Sequence, residues 1–139
     1  MPILTALLAI AAASSAQPAS DAASIDGSWR NPGGSVVVAI APCGDAYCGT
    51  VAWASEQAQA DARRGGTDPL IGTQLMTGFK AAGPGKWRGR LFIPDLNRRS
   101  KAELRMVGDD WLKVTGCAVG RVICKSQYWT RSSSGDVGR

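Results

Sequence analysis

The sequence predicts a small all-β domain in which about eight short antiparallel strands form a meander that closes into a barrel, with one short helix. Three observations predict this fold class. Apolar and charged side chains alternate along the second half of the chain, turn signals recur about every ten residues, and the four cysteines occur as two close pairs. Alternation means that each strand buries one face only, and closure of the meander removes exposed strand edges.

The strands are predicted from alternating or β-branched runs that lie between clusters of glycine, proline and aspartate. They cover residues 27–30, 35–41, 47–54, 73–80, 86–93, 101–107, 111–116 and 121–131. Only residues 55–64 favour a helix, because they carry Glu, Gln and Ala and are followed by Gly65 and Gly66. Turns are predicted at residues 94–97 and 108–110.

In the strands over residues 86–93, 101–107 and 111–116, the apolar side chains share one face. If that face points inward, its residues are candidates for the lining of a cavity, and its glycines would leave room there. The candidate lining residues are Trp87, Gly89, Leu91, Leu104, Met106, Leu112, Val114 and Gly116. Phe92 lies on the opposite face from Trp87, so we expect it outside the barrel or under a loop. Core packing is the alternative role for each tryptophan.

The other face of the same strands is basic. It would present Lys86, Arg88, Arg90, Lys101, Arg105 and Lys113, with Arg98 and Arg99 in the adjoining turn. The formal net charge is +5, but no run of Lys and Arg is long enough to mark a nucleic-acid tail, so we predict no nucleic-acid partner. A basic face would weakly attract anionic envelope surfaces, and a merely solubilising face is the alternative.

The start of the chain differs from the rest. Residues 3–13 form an apolar run of about 11, which is typical of a signal-peptide core and shorter than the roughly 20 that span a bilayer. Small residues at 14–16 favour cleavage after Ala16, although Met1 and Pro2 supply no basic side chain. A buried apolar helix is the alternative. We expect a signal peptide (1–16), a disordered leader (17–24), the folded domain (25–132), a flexible tail (133–139), and a periplasmic or secreted location.

Each close pair of cysteines flanks turn residues, and a turn between two strands brings the flanking positions to disulfide distance. We therefore predict the bridges Cys43–Cys48 and Cys117–Cys124, each contributing roughly 2 kcal/mol in the chain-entropy estimate. Zinc bound by four thiolates is the alternative. Disulfides are favoured because the chain has no histidine and an exported protein meets an oxidising compartment, so we predict no metal.

Several motifs follow one another along most of the predicted domain. They are Gly27-Ser28-Trp29, Cys43 with Cys48-Gly49, Asp68-Pro69 with Gly72 and Leu75, and the segments at residues 87–95, 112–117 and 127–131. In this order they resemble the family catalogued as domain of unknown function 2147, small exported proteins of Gram-negative bacteria. The pattern Gly-x-Trp also resembles the first strand of lipocalin-like barrels.

The resemblance implies a lipocalin-like or calycin-like barrel in which Trp29 plugs the base. It also implies that an arginine near the end of the last strand packs over that tryptophan, and Arg131 is the candidate. It implies no established reaction and no cofactor, and it carries over no functional residue.

The sequence predicts no catalytic residues. A serine or cysteine triad needs a base, and histidine is absent. Ser100 and Lys101 are adjacent and would point to opposite faces of a strand, while Asp68 and Asp95 are typical turn residues. We therefore expect a monomeric, non-enzymatic exported barrel that binds a small apolar or amphipathic ligand. The alternatives are an envelope protein-binding or inhibitor module, and a small hydrolase or isomerase.

Overall fold

The computed structural model describes residues 24–118 and 123–132. Within them, eight antiparallel strands form a closed barrel in which each strand pairs with the next and the last pairs with the first. The elements are β1 (Gly27–Arg30), β2 (Val36–Cys43), β3 (Ala46–Ala54), α1 (Glu56–Arg64), β4 (Gln74–Gly83), β5 (Lys86–Ile93), β6 (Arg98–Val107), β7 (Trp111–Ala118) and β8 (Ile123–Ser132). The predicted signal peptide and tail lie outside the described residues, as does nearly all of the predicted leader.

The barrel confirms the predicted fold class, and most predicted elements agree with it to within a few residues. Three strands, β4, β6 and β7, are at least two residues longer than expected. β6 begins at Arg98 rather than at residue 101, because its register with β5 continues up to the turn, where Ile93 faces Arg98. β4 continues to Gly83, and register shifts after Thr77 and Ala81 bend it around the barrel.

The helix α1 has the local signals of a short, well-capped helix. The Ser55 side chain accepts a hydrogen bond from the backbone N–H of Ala58 at 3.1 Å, which satisfies a free donor of the first turn. Glu56 lies in the first turn and Arg63 in the last turn, where their charges oppose the helix dipole. Its buried residue Ala62 packs into the core of the barrel.

Connections at the two ends of the barrel differ in length. The short turns after β2, β4 and β6 lie at one end, which is also where β1 begins and β8 ends. The connections after β1, β3 and β5 lie at the other end, where β7 ends and β8 begins, and the connection after β3 includes α1. We call the first end the base and the second the mouth.

Trp29 fills the base of the barrel. Its side chain is 0% exposed, and its indole N–H donates to the carbonyl of Ile25 at 2.9 Å. The guanidinium of Arg131 lies over the indole, 4.3 Å from the ring centroid, so a cation covers the aromatic face. The two residues that the resemblance assigns to the base therefore meet there.

Arg131 also ties three parts of the chain together. Its guanidinium donates to the carbonyls of Ser24 at 3.2 Å and Asp26 at 2.9 Å, which precede β1, and to that of Asp109 at 3.0 Å in the turn after β6. A planar group with several donors suits this task, because it can reach carbonyls in different directions. The base is thus closed by one side chain that belongs to the last strand.

The cysteines pair as predicted. Cys43 bonds to Cys48 across the turn between β2 and β3, with the Cα atoms 5.6 Å apart. Cys117 and Cys124 are direct partners in the β7–β8 register, with the Cα atoms 4.1 Å apart. Each bridge closes a short hairpin, so one disulfide lies at the base and the other at the mouth.

Replacing Arg131, the side chain that closes the base, should destabilise the barrel. We expect Arg131→Met to lower the free energy of unfolding by about 2 kcal/mol, because charged hydrogen bonds and the cation–π contact are lost together. Urea denaturation of the oxidised protein measures this. Arg90→Met, at an exposed position of β5, is the matched control and should cost almost nothing. Equal effects of the two substitutions would show that Arg131 does not close the base.

Candidate functional site

A pocket of about 610 Å³ lies at the mouth of the barrel. Its wall is contributed by the mouth ends of β2, β4, β5, β6, β7 and β8, by the loop after β1 and the turn after β5, and by α1 with the segments that flank it. Most of the wall is apolar. The buried apolar side chains that border the pocket are Leu70, Leu75, Val114 and Trp129, with Val36, Ala58, Leu91 and Phe92 partly buried beside them.

The helix α1 forms one side of the mouth and is anchored to the turn between β5 and β6. A Cβ placed on Gly65, the C-cap of α1, would overlap the backbone carbonyl of Asp95, so helix and turn are in direct backbone contact. The Thr67 hydroxyl donates to the Pro94 carbonyl at 3.0 Å. At the other end of α1, the Gln59 amide donates to the Ala54 carbonyl at 3.1 Å.

A few polar side chains also border the pocket. Ser100 on β6 is 6% exposed, and its hydroxyl finds no hydrogen-bond partner among the described residues. On β8, the Gln127 carbonyl oxygen accepts the indole N–H of Trp129 at 3.1 Å. Lys125 lies on the same inward face of β8 as Gln127, and it forms no ion pair with any described residue. Few polar groups on a mainly apolar wall are typical of small-molecule sites.

The two acidic side chains that border the pocket, Asp61 and Asp95, lie on the opposite side, on α1 and on the turn it contacts. Asp61 accepts hydrogen bonds from the Gln57 amide and from Arg64, so its charge is largely compensated. Asp95 is exposed to solvent. The two carboxylates of the pocket therefore lie on the side of α1 and the β5–β6 turn, and its hydroxyl, ammonium and amide groups lie on the side of β6 and β8.

Three of the eight candidate lining residues border this pocket, namely Leu91, Val114 and Gly116. The other five lie nearer the base. Leu104 and Leu112 are fully buried in the core, and Trp87 and Met106 pack against that core, Trp87 with its ring edge-on to Tyr47. Alternation identifies which side chains of a strand point inward, but it does not show whether they lie near the base or near the mouth, because both regions have the same alternating pattern.

Gly89 does not leave an open space. A Cβ there would lie 2.6 Å from the Thr77 carbonyl oxygen and 2.8 Å from the Phe79 ring. The missing side chain therefore lets β4 approach β5 closely, and the fully buried Phe79 fills the volume. Gly89 has a packing role, whereas Gly116 borders the pocket.

Several pocket residues were missed by the sequence analysis. Ser100 continues the inward series of Ala102 and Leu104, but the predicted strand begins at residue 101 and so leaves Ser100 out, whereas β6 begins at Arg98. Lys125 shares the inward face of β8 with Trp129, yet a lysine there looks like a solvent-facing residue. Phe92 was expected outside the barrel or under a loop; it borders the mouth, with the Arg99 guanidinium 5.2 Å from its ring centroid.

The outer face of β5, β6 and β7 is basic, and the register places like charges opposite one another. Arg105 faces Lys86 on one side and Lys113 on the other, and Arg90 faces Lys101. The acidic side chain within these three strands is Glu103, 3.9 Å from both Arg88 and Arg105. Like charges directly opposite each other destabilise a sheet, so this face carries a cost.

No group of three or more His, Cys, Asp or Glu side chains within residues 24–118 and 123–132 is placed to hold a metal ion. In the same residues, no helix has the length and apolar character needed to cross a membrane.

Residues 27–131 match the model of a family described as "Uncharacterized protein conserved in bacteria", domain of unknown function 2147. No curated protein matches the chain. Among solved structures, the chain is similar to protein HP1028 from the human pathogen Helicobacter pylori, which is described as belonging to the lipocalin family. The TM-score is 0.62 at 8% identity, over 81% of this chain and 86% of that one.

The backbone contact between α1 and the β5–β6 turn should be sensitive to one methyl group. Gly65 has α-helical backbone angles, so Gly65→Ala is compatible with the local conformation but forces α1 away from Asp95. We expect a loss of about 2 kcal/mol in the free energy of unfolding and faster amide exchange in α1. Gly33→Ala, whose Cβ meets nothing nearer than 3.9 Å, is the control. Unchanged exchange in α1 would contradict the anchoring.

Proposed function

Because the chain belongs to the family of domain of unknown function 2147 and folds as a lipocalin-like barrel, we propose that it is a non-enzymatic binding protein for a small apolar or amphipathic molecule. The observation that carries this proposal is the pocket at the mouth. Its volume of about 610 Å³ is within the range of small-molecule sites, and its wall is mainly apolar with a few polar groups.

The closed base supports a single route to the pocket. Trp29 and Arg131 fill the base, and the fully buried side chains Leu104, Leu112 and Phe79 occupy the barrel between base and pocket. A ligand therefore reaches the pocket at the mouth, beside α1. The interior is therefore open at the mouth and closed at the base.

We further propose that the protein is exported to the periplasm or beyond. The two disulfides support this, because such bridges persist in oxidising compartments and are rare in the cytosol. The apolar run at residues 3–13 supports it as well. Binding there would concern molecules of the cell envelope or of the surroundings.

Blocking the mouth tests the binding function. Ala58 on α1 borders the pocket, whereas Ala60 on the same helix does not. We expect the protein to bind the neutral fluorescent probe N-phenyl-1-naphthylamine saturably, and Ala58→Trp to weaken that binding about tenfold by filling the mouth. Ala60→Trp, which makes the same change to helix composition, should leave the affinity within about twofold.

Two results would contradict the proposal. One is equal binding by both tryptophan variants, which would place the probe outside the pocket. The other is no binding of the probe together with no retention of any molecule from a lipid extract of envelope membranes.

A second candidate function, attraction to anionic envelope surfaces, is favoured by the outer basic face. Arg105 and Arg90 lie opposite other cations at an electrostatic cost, which a partner of opposite charge would offset. Beside this face, Trp111 and Tyr128 are 48% and 47% exposed, with the Lys113 ammonium 6.0 Å from the Tyr128 ring centroid. Exposed aromatic rings beside cations suit the headgroup region of a membrane.

Charge reversal on this face should weaken the attraction. We expect co-sedimentation with vesicles of phosphatidylglycerol and phosphatidylcholine at low salt. Arg90→Glu changes the charge by two units, so at about 1 kcal/mol per unit it should lower the affinity about thirtyfold. Arg63→Glu on α1 makes the same change in net charge away from the face and should have a smaller effect. Equal losses would show that only the net charge matters, and binding that persists at high salt would also contradict this candidate.

A further inference from the structure

We infer that the molecule taken up by the pocket is an anionic amphiphile, whose charged headgroup binds between Ser100, Gly116, Lys125 and Gln127. We call this set of residues the headgroup niche. The inference rests on the proposed binding function and adds the chemical class of the ligand.

Ser100 provides the first argument. Its side chain is 6% exposed and borders the pocket, and its hydroxyl has no partner among the described residues. A buried hydroxyl without a hydrogen bond destabilises the fold, and buried polar groups in folded proteins are almost always satisfied. A polar atom of the bound molecule would satisfy it.

Gly116 provides the second argument, because it leaves room next to that hydroxyl. A Cβ at this position would lie 3.4 Å from the Ser100 oxygen and 3.7 Å from a methyl carbon of Leu91. Its backbone is not in the left-handed region, so the conformation does not require glycine. The missing side chain instead opens a space that is bounded by a hydroxyl on one side and an apolar methyl on the other.

The third argument is the kind of polar group around this space. Lys125 is the direct partner of Gly116 in the β7–β8 register and borders the pocket. Because the Trp129 indole N–H can only donate, the Gln127 carbonyl oxygen accepts from it, which leaves the Gln127 NH₂ group as a donor. An ammonium, an amide NH₂ and a hydroxyl are all donors, and a carboxylate or phosphate oxygen accepts from each of them.

The two carboxylates on the α1 side of the pocket are consistent with an anion bound on the β6 and β8 side. Asp61 is compensated by Arg64 and Gln57, and Asp95 is exposed to water at the rim. Lys125 has no comparable partner among the described residues. An apolar chain would then lie along the buried side chains of Leu75, Val114 and Trp129.

Calorimetry with three chain-matched amphiphiles tests the inference on the oxidised protein. The probes are dodecanoate, dodecan-1-ol and dodecyltrimethylammonium, which share one alkyl chain and differ in headgroup charge. We expect dodecanoate to bind about tenfold more tightly than dodecan-1-ol, as a charge-assisted hydrogen bond exceeds a neutral one. Tighter binding of dodecyltrimethylammonium would overturn the inference and assign the headgroup to the Asp61 and Asp95 side.

Substitutions in the niche separate binding from folding. Ser100→Ala and Lys125→Gln should each weaken dodecanoate binding about tenfold and leave dodecan-1-ol within about twofold. Ser100→Ala should not lower the free energy of unfolding, because it removes a buried hydroxyl without a partner; a merely structural serine would destabilise when replaced. Lys101→Gln, next to Ser100 on the outer face, is the control for charge.

Gly116→Ala gives an independent test, since its Cβ fits without strain but occupies the space beside Ser100. It should weaken dodecanoate binding in the same selective way. If dodecanoate and dodecan-1-ol bind equally, and all three niche variants leave both unchanged, the inference fails while the proposed function stands. If none of the three amphiphiles and no neutral probe binds, the proposed function itself fails.

Discussion

The barrel is closed by a short seam, and the contact between Arg131 and Trp29 lies at that seam. β1 has four residues and meets β8 through Ser28, Trp29 and Arg30, so few backbone hydrogen bonds join the first strand to the last. Arg131 adds to them by covering the indole and by donating to carbonyls before β1 and after β6. Because this seam has only three partner pairs and β1 is the shortest strand, closure of the barrel, and with it the shape of the mouth, depends on this side chain.

A closed base also determines how the interior is divided. The same strands carry large apolar side chains near the base and smaller or polar ones near the mouth, as Leu104 and Ser100 do on β6, or Leu112 and Gly116 on β7. Packed side chains near the base stabilise the fold, and the emptier half above them is free to hold a ligand. The polar residues that a stable core would exclude are found in that half.

Much of the fold could be predicted from the sequence because it depends on local signals. Alternation predicted the strands of the second half, Ser55 and Gly65 bounded the helix, and the spacing of the cysteines predicted the two bridges. The roles of Trp29 and Arg131 came from a family resemblance rather than from pattern, because their contact joins the two ends of the domain.

The pocket was less predictable, because its residues are related through strand register and barrel height. Ser100 and Lys125 border the same pocket although they lie on strands that are not adjacent, and nothing in their local sequence relates them. The contribution of α1 to the pocket wall depends on the contact of Gly65 with Asp95, which joins two segments that are far apart in the sequence. The local sequence shows which face of a strand a residue lies on, but it does not show how far the residue is from the mouth of the barrel.

The disulfide between β7 and β8 has a consequence for the chemistry of the pocket. Cys117 follows Gly116 and borders the pocket, and Cys124 precedes Lys125. The bridge therefore fixes the separation of the two strand ends that bear this glycine and this lysine. Reduction of this bond would release the two strand ends at the wall of the pocket, so the spacing of Gly116 and Lys125 depends on the redox state of the Cys117–Cys124 pair.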